Sequence, residues 1–131
     1  MSGVPGWRAL TLAGVTALAA GCGGGGGSSG GAGGTPDLAR GKQLYGGACA
    51  MCHGADLRGT SRGPSQLSKV YEPSHHPDEA YRAAVKNGVR AHHWRFGDMP
   101  SLPEFPDDAL RDVIAYIRSE QQKQGFEPYP P

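Results

Sequence analysis

The stretch Cys49-Ala50-Met51-Cys52-His53 decides how this chain folds. Two cysteines separated by two residues, with a histidine directly after the second, form the pattern that attaches a c-type haem. The two thiols would add to the two vinyl groups of one porphyrin, and the imidazole of His53 would ligate the iron. One turn of helix presents all three groups to the same macrocycle. We therefore predict one covalently bound haem c, with its iron, at this position.

Two other uses of a cysteine pair fit this sequence less well. A structural zinc site needs about four nitrogen or sulfur ligands at recurring spacings, and the sequence has no second pair of closely spaced cysteines. A thioredoxin-like dithiol would follow a strand in an alternating strand–helix pattern, and no such pattern is present. Haem attachment remains the prediction for Cys49 and Cys52.

The first 22 residues have the features of an export signal. Arg8 is their only charged residue, and the apolar run over residues 9–20 is too short to span a bilayer, which needs about 20 residues. The run ends in Leu18-Ala19-Ala20-Gly21-Cys22, which resembles a bacterial lipoprotein signal. We expect residues 1–21 to be removed and Cys22 to be lipidated and membrane-anchored. An ordinary cleaved signal or an uncleaved anchor are the alternatives, and each also takes the protein out of the cytoplasm.

Composition divides the rest of the chain into three parts. Residues 22–35 hold the lipidated cysteine and a run of Gly, Ser and Ala, which predicts a flexible tether with a typical span of about 20 Å. Residues 36–124 are enough for one small domain. Residues 125–131 form a proline-rich tail that we expect to be irregular.

Helical periodicity predicts that this domain is all-α. Thr35-Pro36-Asp37 predicts the start of a first helix that ends in the cysteine motif, with Thr35 as its cap. Gly41 inside that helix costs about 1 kcal/mol relative to Ala, which close contact with another helix would explain. A second helix should open at Pro77-Asp78-Glu79 and close at Asn87-Gly88.

The last helix has the clearest pattern. It should begin at Asp107 or Asp108, and its apolar residues lie at helical spacings of three and four. Arg111 and Asp112 are expected to face away from the core. No segment alternates convincingly with a period of two. The predicted architecture is three to four helices packed around one haem.

Charge excludes one class of partner. After removal of the signal, the chain would carry equal numbers of basic and acidic residues, which argues against nucleic acid because such binding needs a basic footprint. Basic residues dominate residues 40–95 and acidic residues dominate 96–131. This asymmetry could orient docking to a redox partner, although an ordinary solvated surface explains it equally well.

The sequence offers several candidates for the second axial ligand of the iron. Met99 lies in a loop and is followed by Pro100, which removes a backbone donor and stiffens the segment. Four histidines are the other candidates, and His92 and His93 are near Met99 in the sequence. Residue types alone leave Met99, one of these two histidines, or an open position. The full set of candidates for the second axial ligand is Met99, His75, His76, His92 and His93.

Over residues 36–123, the chain resembles a class I, monohaem c-type cytochrome. The matching elements occur in order: Gly41 and Tyr45, the haem motif, Gly63-Pro64, Asp98-Met99-Pro100, and a last helix that contains Tyr116.

Several residue roles follow from this resemblance. It implies that the carbonyl of Pro64 holds the ring N–H of His53, and that Met99 is the sixth ligand. It also implies that the first and last helices cross where Gly41 meets Tyr116. Trp94 and Tyr71 would donate to the haem propionates or pack against the ring edge.

The resemblance also implies a function. A methionine thioether prefers ferrous iron and raises the reduction potential, and six-coordination leaves no open position for bond chemistry. We expect a membrane-tethered carrier of single electrons in the periplasm or extracytoplasmic space, working between redox proteins such as respiratory complexes or dehydrogenases. We expect no enzymatic activity and no small-molecule substrate. The alternatives are a haem-based sensor or ligand-binding module, and a fixed cytochrome subunit of a larger oxidoreductase.

Overall fold

The computed structural model of this chain describes residues 34–128. It contains four α-helices: α1 (Leu38–Ala48), α2 (Ala50–His53), α3 (Asp78–Asn87) and α4 (Asp107–Gln124). Within these residues there is no strand, only three isolated β-bridges. The predicted all-α class is confirmed. In the same range, no helix combines the length and apolarity that a bilayer crossing requires.

Helices α1 and α4 cross where α1 has no side chain. A Cβ atom at Gly41 would lie 2.1 Å from the carbonyl oxygen of Asp112 and 3.0 Å from the Cβ atom of Tyr116. The ring of Tyr45, one turn further along α1, packs 5.6 Å from the ring of Tyr116. The predicted contact at Gly41 is confirmed, and it explains why a residue with poor helix propensity is found there.

The first helix begins slightly later than expected. Asp37, rather than Thr35, is the capping residue, and its carboxylate accepts from the backbone N–H groups of Ala39 and Arg40 at 2.9 and 3.0 Å. An aspartate satisfies these orphan donors as well as a hydroxyl does, and its charge is favourable at the positive end of the helix. The helix also ends at Ala48, so the haem motif begins at Cys49, the residue before α2, and continues through that separate turn.

One expectation for α4 is wrong. Asp112 does not face solvent, because it is 1% exposed and lies beneath the start of α1. Its carboxylate accepts from the guanidinium groups of Arg40 at 2.8 Å and Arg111 at 2.9 Å. Two basic side chains and the close approach of α1 at Gly41 make a buried charge favourable here, which periodicity within α4 could not indicate.

Loops connect the helices and form the walls around α2. A 3₁₀ turn covers Lys69–Tyr71. The first residues of the C-terminal tail are tied to the loop before this turn, since the N–H of Glu127 donates to Leu67 and its carbonyl accepts from Lys69. The predicted signal peptide (residues 1–21), the lipidation site Cys22 and the predicted tether up to residue 33 lie outside the described residues. Residues 129–131 of the predicted tail also lie outside them.

Candidate functional site

The turn of α2 presents the motif residues. The N–H of Cys49 donates to the carbonyl of Tyr45 at 2.8 Å, and the N–H of His53 donates to the carbonyl of Cys49 at 2.9 Å. The chain leaves the turn at Gly54, whose φ of 80° is a conformation that favours glycine. The hydroxyl of the buried Tyr45 donates to the carbonyl of Gly54 at 3.0 Å. Backbone and side-chain bonds therefore hold this turn on α1.

His53 is held by a backbone oxygen on the opposite loop. Its Nδ1 lies 3.0 Å from the carbonyl oxygen of Pro64. A carbonyl can only accept, so this contact places the proton on Nδ1 and leaves the lone pair on Nε2. Burial lowers the pKa of His53, and the bond to Pro64 opposes that shift only in part. The imidazole is therefore neutral at pH 7, which is the form that ligates a metal.

A second partner of His53 was not predicted from the sequence. The Nε2 of the buried Gln66 lies 2.9 Å from Nδ1 of His53, and its Oε1 has no hydrogen-bond partner among residues 34–128. A donor facing the protonated Nδ1 is unfavourable, and a 180° rotation of the amide resolves it because the oxygen then accepts from Nδ1–H. The NH₂ group then needs an acceptor. A polar residue two positions after Pro64 gives no sequence signal for such a role.

The two cysteines differ in their surroundings. Cys49 lines the cavity described below. Burial, together with a smaller effect of the neighbouring Cys52, raises the pKa of the Cys49 thiol to about 11, so the thiol is protonated at neutral pH. Cys52 is half-buried, and its carbonyl accepts from the hydroxyl of Thr60 at 2.7 Å. Met51, between them, is 71% exposed and contributes nothing to the cavity.

A cavity of about 430 Å³ lies beside the motif. This size is within the range of cofactor pockets. The apolar residues of α3 form one of its walls, and those that periodicity predicted on α4 form another; the motif and the later loops form the rest. The lining includes Cys49, His53, Pro64 and Met99, together with Ala80, Tyr81, Ala84 and Val85 of α3 and Leu110, Val113, Ile114 and Ile117 of α4.

Met99 is fixed at the base of a loop. Its N–H donates to the carbonyl of Val89 at 2.9 Å, and its carbonyl accepts from the N–H of Val89 at 3.0 Å. Gly88, at φ 74°, allows this approach, because a Cβ atom there would lie 2.7 Å from the Met99 carbonyl oxygen. The structure thus brings Met99, more than 40 residues away in sequence, to the cavity that His53 also lines.

Aromatic and histidine side chains form one rim of the cavity. Trp94 stacks on Tyr71 with a centroid separation of 5.8 Å and an interplanar angle of 19°. His76, His92 and His93 also line this rim, whereas His75 does not. Three of the four histidines proposed as alternative axial ligands therefore line the cavity, two of them (His92 and His93) on the loop before Met99 and one (His76) on the turn before α3.

These residues fit a haem attached through two thioethers. The cavity is mainly apolar, the neutral imidazole of His53 keeps Nε2 available, and a soft thioether lies in the same cavity. Gln66 also lines the cavity, and its buried amide has one polar atom without a hydrogen-bond partner among residues 34–128. Each of these features of the cavity suits a flat macrocycle with an iron centre and polar propionates.

Comparison with known proteins agrees with this site. Residues 38–121 match the family model of cytochrome c. The helical fold and this match define a class I c-type cytochrome, and the chain belongs to the cytochrome c family. It is an electron-carrying haem protein, and membership of the family implies a covalently bound haem c with its iron.

Two known proteins are similar to this chain. The chain is 29% identical over 91 residues to the cytochrome bc1 complex cytochrome c subunit of Corynebacterium diphtheriae, and the match covers 66% of this chain but 28% of that relative. The chain therefore spans less than a third of the relative's length. The crystal structure of the c-type cytochrome XoxG from Methylobacterium extorquens AM1 is 21% identical, with a TM-score of 0.49, over 61% of this chain and 47% of that one.

Proposed function

We propose that this protein carries single electrons between redox proteins, with a six-coordinate haem as its redox centre. Cys49 and Cys52 would form the thioether bonds, and His53 and Met99 would ligate the iron. The observation that carries this proposal is the 3.0 Å contact between Nδ1 of His53 and the carbonyl of Pro64, beside a cavity that Met99 also lines.

When bound, the haem supplies one-electron chemistry, because its iron cycles between the ferric and ferrous states. The protein's residues determine how that chemistry is used. Pro64 orients the imidazole of His53 and increases its basicity. The apolar walls from α3 and α4 keep water from the ring and favour the ferrous state. A thioether ligand from Met99 would favour that state further.

Replacing Met99 tests this ligand set. We expect Met99→Ala to abolish the weak long-wavelength charge-transfer band of methionine-ligated ferric haem. Loss of the thioether should also lower the reduction potential, by part of the ~0.8 V range over which axial ligands act. Absorption spectra of the ferric protein and a redox titration measure the two effects.

His92→Ala is the matched control, because His92 lines the same cavity but is exposed and held by its own loop. Its band and potential should equal those of the wild type. A charge-transfer band that survives in Met99→Ala, or one that disappears in His92→Ala, would contradict ligation by Met99. Rapid binding of CO to the unmodified ferrous protein would favour a haem-based sensor or ligand-binding module instead.

A fixed subunit of a larger oxidoreductase is the second candidate function. It is supported by the relative in Corynebacterium diphtheriae, which is named as a subunit of the cytochrome bc1 complex. Both candidates use the same electron-carrying site and differ only in whether the partner is permanent. Respiratory complexes and dehydrogenases are the partner classes we propose. Elution with a large complex after mild solubilisation, rather than as a single chain, would favour the subunit.

We further propose that the domain works outside the cytoplasm, tethered to a membrane in the cell envelope. The support is the signal-like segment that ends in Cys22 and the Gly-rich stretch between it and α1. Confinement near a membrane raises the effective concentration of the carrier at membrane-bound partners. The site has no open axial position in this proposal, so we assign the protein transfer of electrons and no catalysis of its own.

A further inference from the structure

Two histidine rings at the rim of the cavity meet a third ring just outside it. The side chains of His75, His76 and His93 offer one nitrogen each, and these atoms all lie within 4.8 Å of one another. The Nε2 atoms of His75 and His93 are 3.4 Å apart. The two segments that meet here are the turn before α3 and the loop before Met99. Electron transfer, as proposed above, uses none of these nitrogens.

The spacing of the nitrogens suits a metal ion. Two imidazole nitrogens bound to zinc at 2.0–2.1 Å with a tetrahedral angle are about 3.3 Å apart, close to the separation between His75 and His93. The three rings meet in T-shaped pairs at interplanar angles of 60–73°. His75 is exposed, so its ring can move until the nitrogens of all three histidines surround one metal ion.

The tautomer of His76 is set by the backbone. Its Nδ1 lies 2.7 Å from the carbonyl oxygen of Val70, so Nδ1–H donates and Nε2 carries the lone pair. Histidines that ligate metals usually donate their second ring nitrogen in this way, to a carbonyl or a carboxylate. This bond orients the ring and increases its basicity before any ion arrives.

The turn that carries His75 and His76 is anchored on α4. The N–H groups of both residues donate to the carbonyl of Glu72, at 2.9 and 2.8 Å. Arg118 of α4 donates to the carbonyl of His76 at 2.6 Å and to that of Tyr71 at 2.7 Å. Two of the three ligands are therefore presented from a backbone that is already held in place.

The loop that carries His93 is closed at its base. The pair between Val89 and Met99 and the bond from the Ala91 N–H to Asp98 Oδ1, at 2.9 Å, limit its motion. A metal ion shared between His93 and the turn would join the two segments across the cavity rim. That link would restrain the loop whose final residue is the proposed axial ligand.

The local charge permits a cation. Burial is the largest cause that lowers the pKa values of His76 and His93, and their histidine neighbours lower them further. Arg118, a permanent positive charge close to His76, is paired with Asp78 at 2.8 Å, which reduces its repulsion of a bound ion.

We propose that His75, His76 and His93 bind one divalent first-row transition metal ion, of the kind for which imidazole is a preferred ligand, such as zinc or copper. A water molecule would fill the fourth position. The site is separate from the haem iron, and its occupation would brace the rim of the haem cavity.

Zinc uptake by the full-length, haem-loaded ferric protein, purified without a polyhistidine tag, tests the proposal. Calorimetric titration with zinc chloride and elemental analysis after dialysis should show one zinc per chain. His75→Ala and His93→Ala should each weaken binding by at least about tenfold, since even outer contacts of a metal site are worth 10–100-fold. Zinc should also raise the thermal midpoint of the wild type, and at the same zinc concentration raise those of the two variants by less.

His92→Ala is the matched control, because His92 is on the same loop but outside the group of three. It should bind zinc as the wild type does. No zinc uptake by the wild type, undiminished binding in His75→Ala or His93→Ala, or an equal loss in His92→Ala would each overturn the site. Absorption spectra of the same samples report the haem ligands, so failure of Met99 ligation would be seen separately from failure of zinc binding.

Discussion

At the residue scale, Asp112 shows how a single charge is stabilised inside the domain. Burial alone would raise the pKa of its carboxyl group. Bonds from the Arg111 guanidinium, the Asp37 N–H and the Arg40 guanidinium outweigh burial, so that the pKa lies below its usual value. The carboxylate therefore stays ionised in the folded protein and connects the start of α1 to α4.

We expect Asp112→Asn to lower the free energy of unfolding by about 1.5–3 kcal/mol at pH 7, the value of hydrogen bonds to charged groups. Because the folded pKa is lower than the unfolded one, the contribution of Asp112 is complete above about pH 5. It is lost as the pH falls below about 4. Urea unfolding of the haem-loaded protein at several pH values measures both effects.

Asp108→Asn is the control, since Asp108 also pairs with Arg40 but its side chain is 32% exposed. An exposed pair of this kind is worth about 1 kcal/mol or less. Equal losses in the two variants, or a loss in Asp112→Asn that persists unchanged at pH 3, would show that the buried charge does not stabilise the fold.

At the scale of elements, the crossing of α1 and α4 holds the domain together. The extensive contact between these helices centres on Gly41, where the backbones approach too closely for a side chain. We expect Gly41→Ala to destabilise the protein by about 1–3 kcal/mol, the usual cost of overpacking. The gain in helix propensity of about 1 kcal/mol is too small to compensate. Chemical denaturation followed by far-UV circular dichroism measures the change.

Gly46→Ala and Gly47→Ala separate packing from propensity on the same helix. A Cβ atom at either position would have no neighbour within 4 Å. Both variants should therefore be as stable as the wild type or more stable by up to about 1 kcal/mol. If Gly41→Ala were stabilising to the same degree, the close approach of the two helices would not be a constraint.

At the scale of the whole molecule, the proposed tether and the haem domain act together. The tether would hold the carrier near membrane partners without setting its orientation. We expect Cys22→Ser to move the protein from the membrane fraction to the soluble fraction, because the serine cannot accept the lipid. The haem absorption spectrum should not change.

Immunoblots of fractionated cells measure this shift, and Ser28→Ala, a neutral change within the same stretch, is the control. A Cys22→Ser protein that stays with the membrane would refute the lipid anchor. If it also kept its uncleaved signal, the apolar run over residues 9–20 would be the membrane attachment instead.

Local patterns were sufficient for much of this protein. The motif Cys49–His53 requires only neighbouring residues, and the boundaries of α3 and α4 follow from capping residues and apolar periodicity, which also act locally. The apolar residues of α4 lie at the helical spacings that the sequence indicated, and they line the cavity. A helix contact at Gly41 was predicted because a costly glycine needs a packing partner, and the family resemblance identified the last helix as that partner.

Tertiary structure decided the rest, because those features depend on residues far apart in the chain. The burial of Asp112 depends on Arg40 and the start of α1, and the contact of Gln66 with His53 depends on how the loop after α2 returns. The convergence of His75 and His76 with His93 requires two loops to meet at one rim. Periodicity and spacing describe how residues relate to their neighbours in the sequence. They therefore contain no information about such long-range contacts.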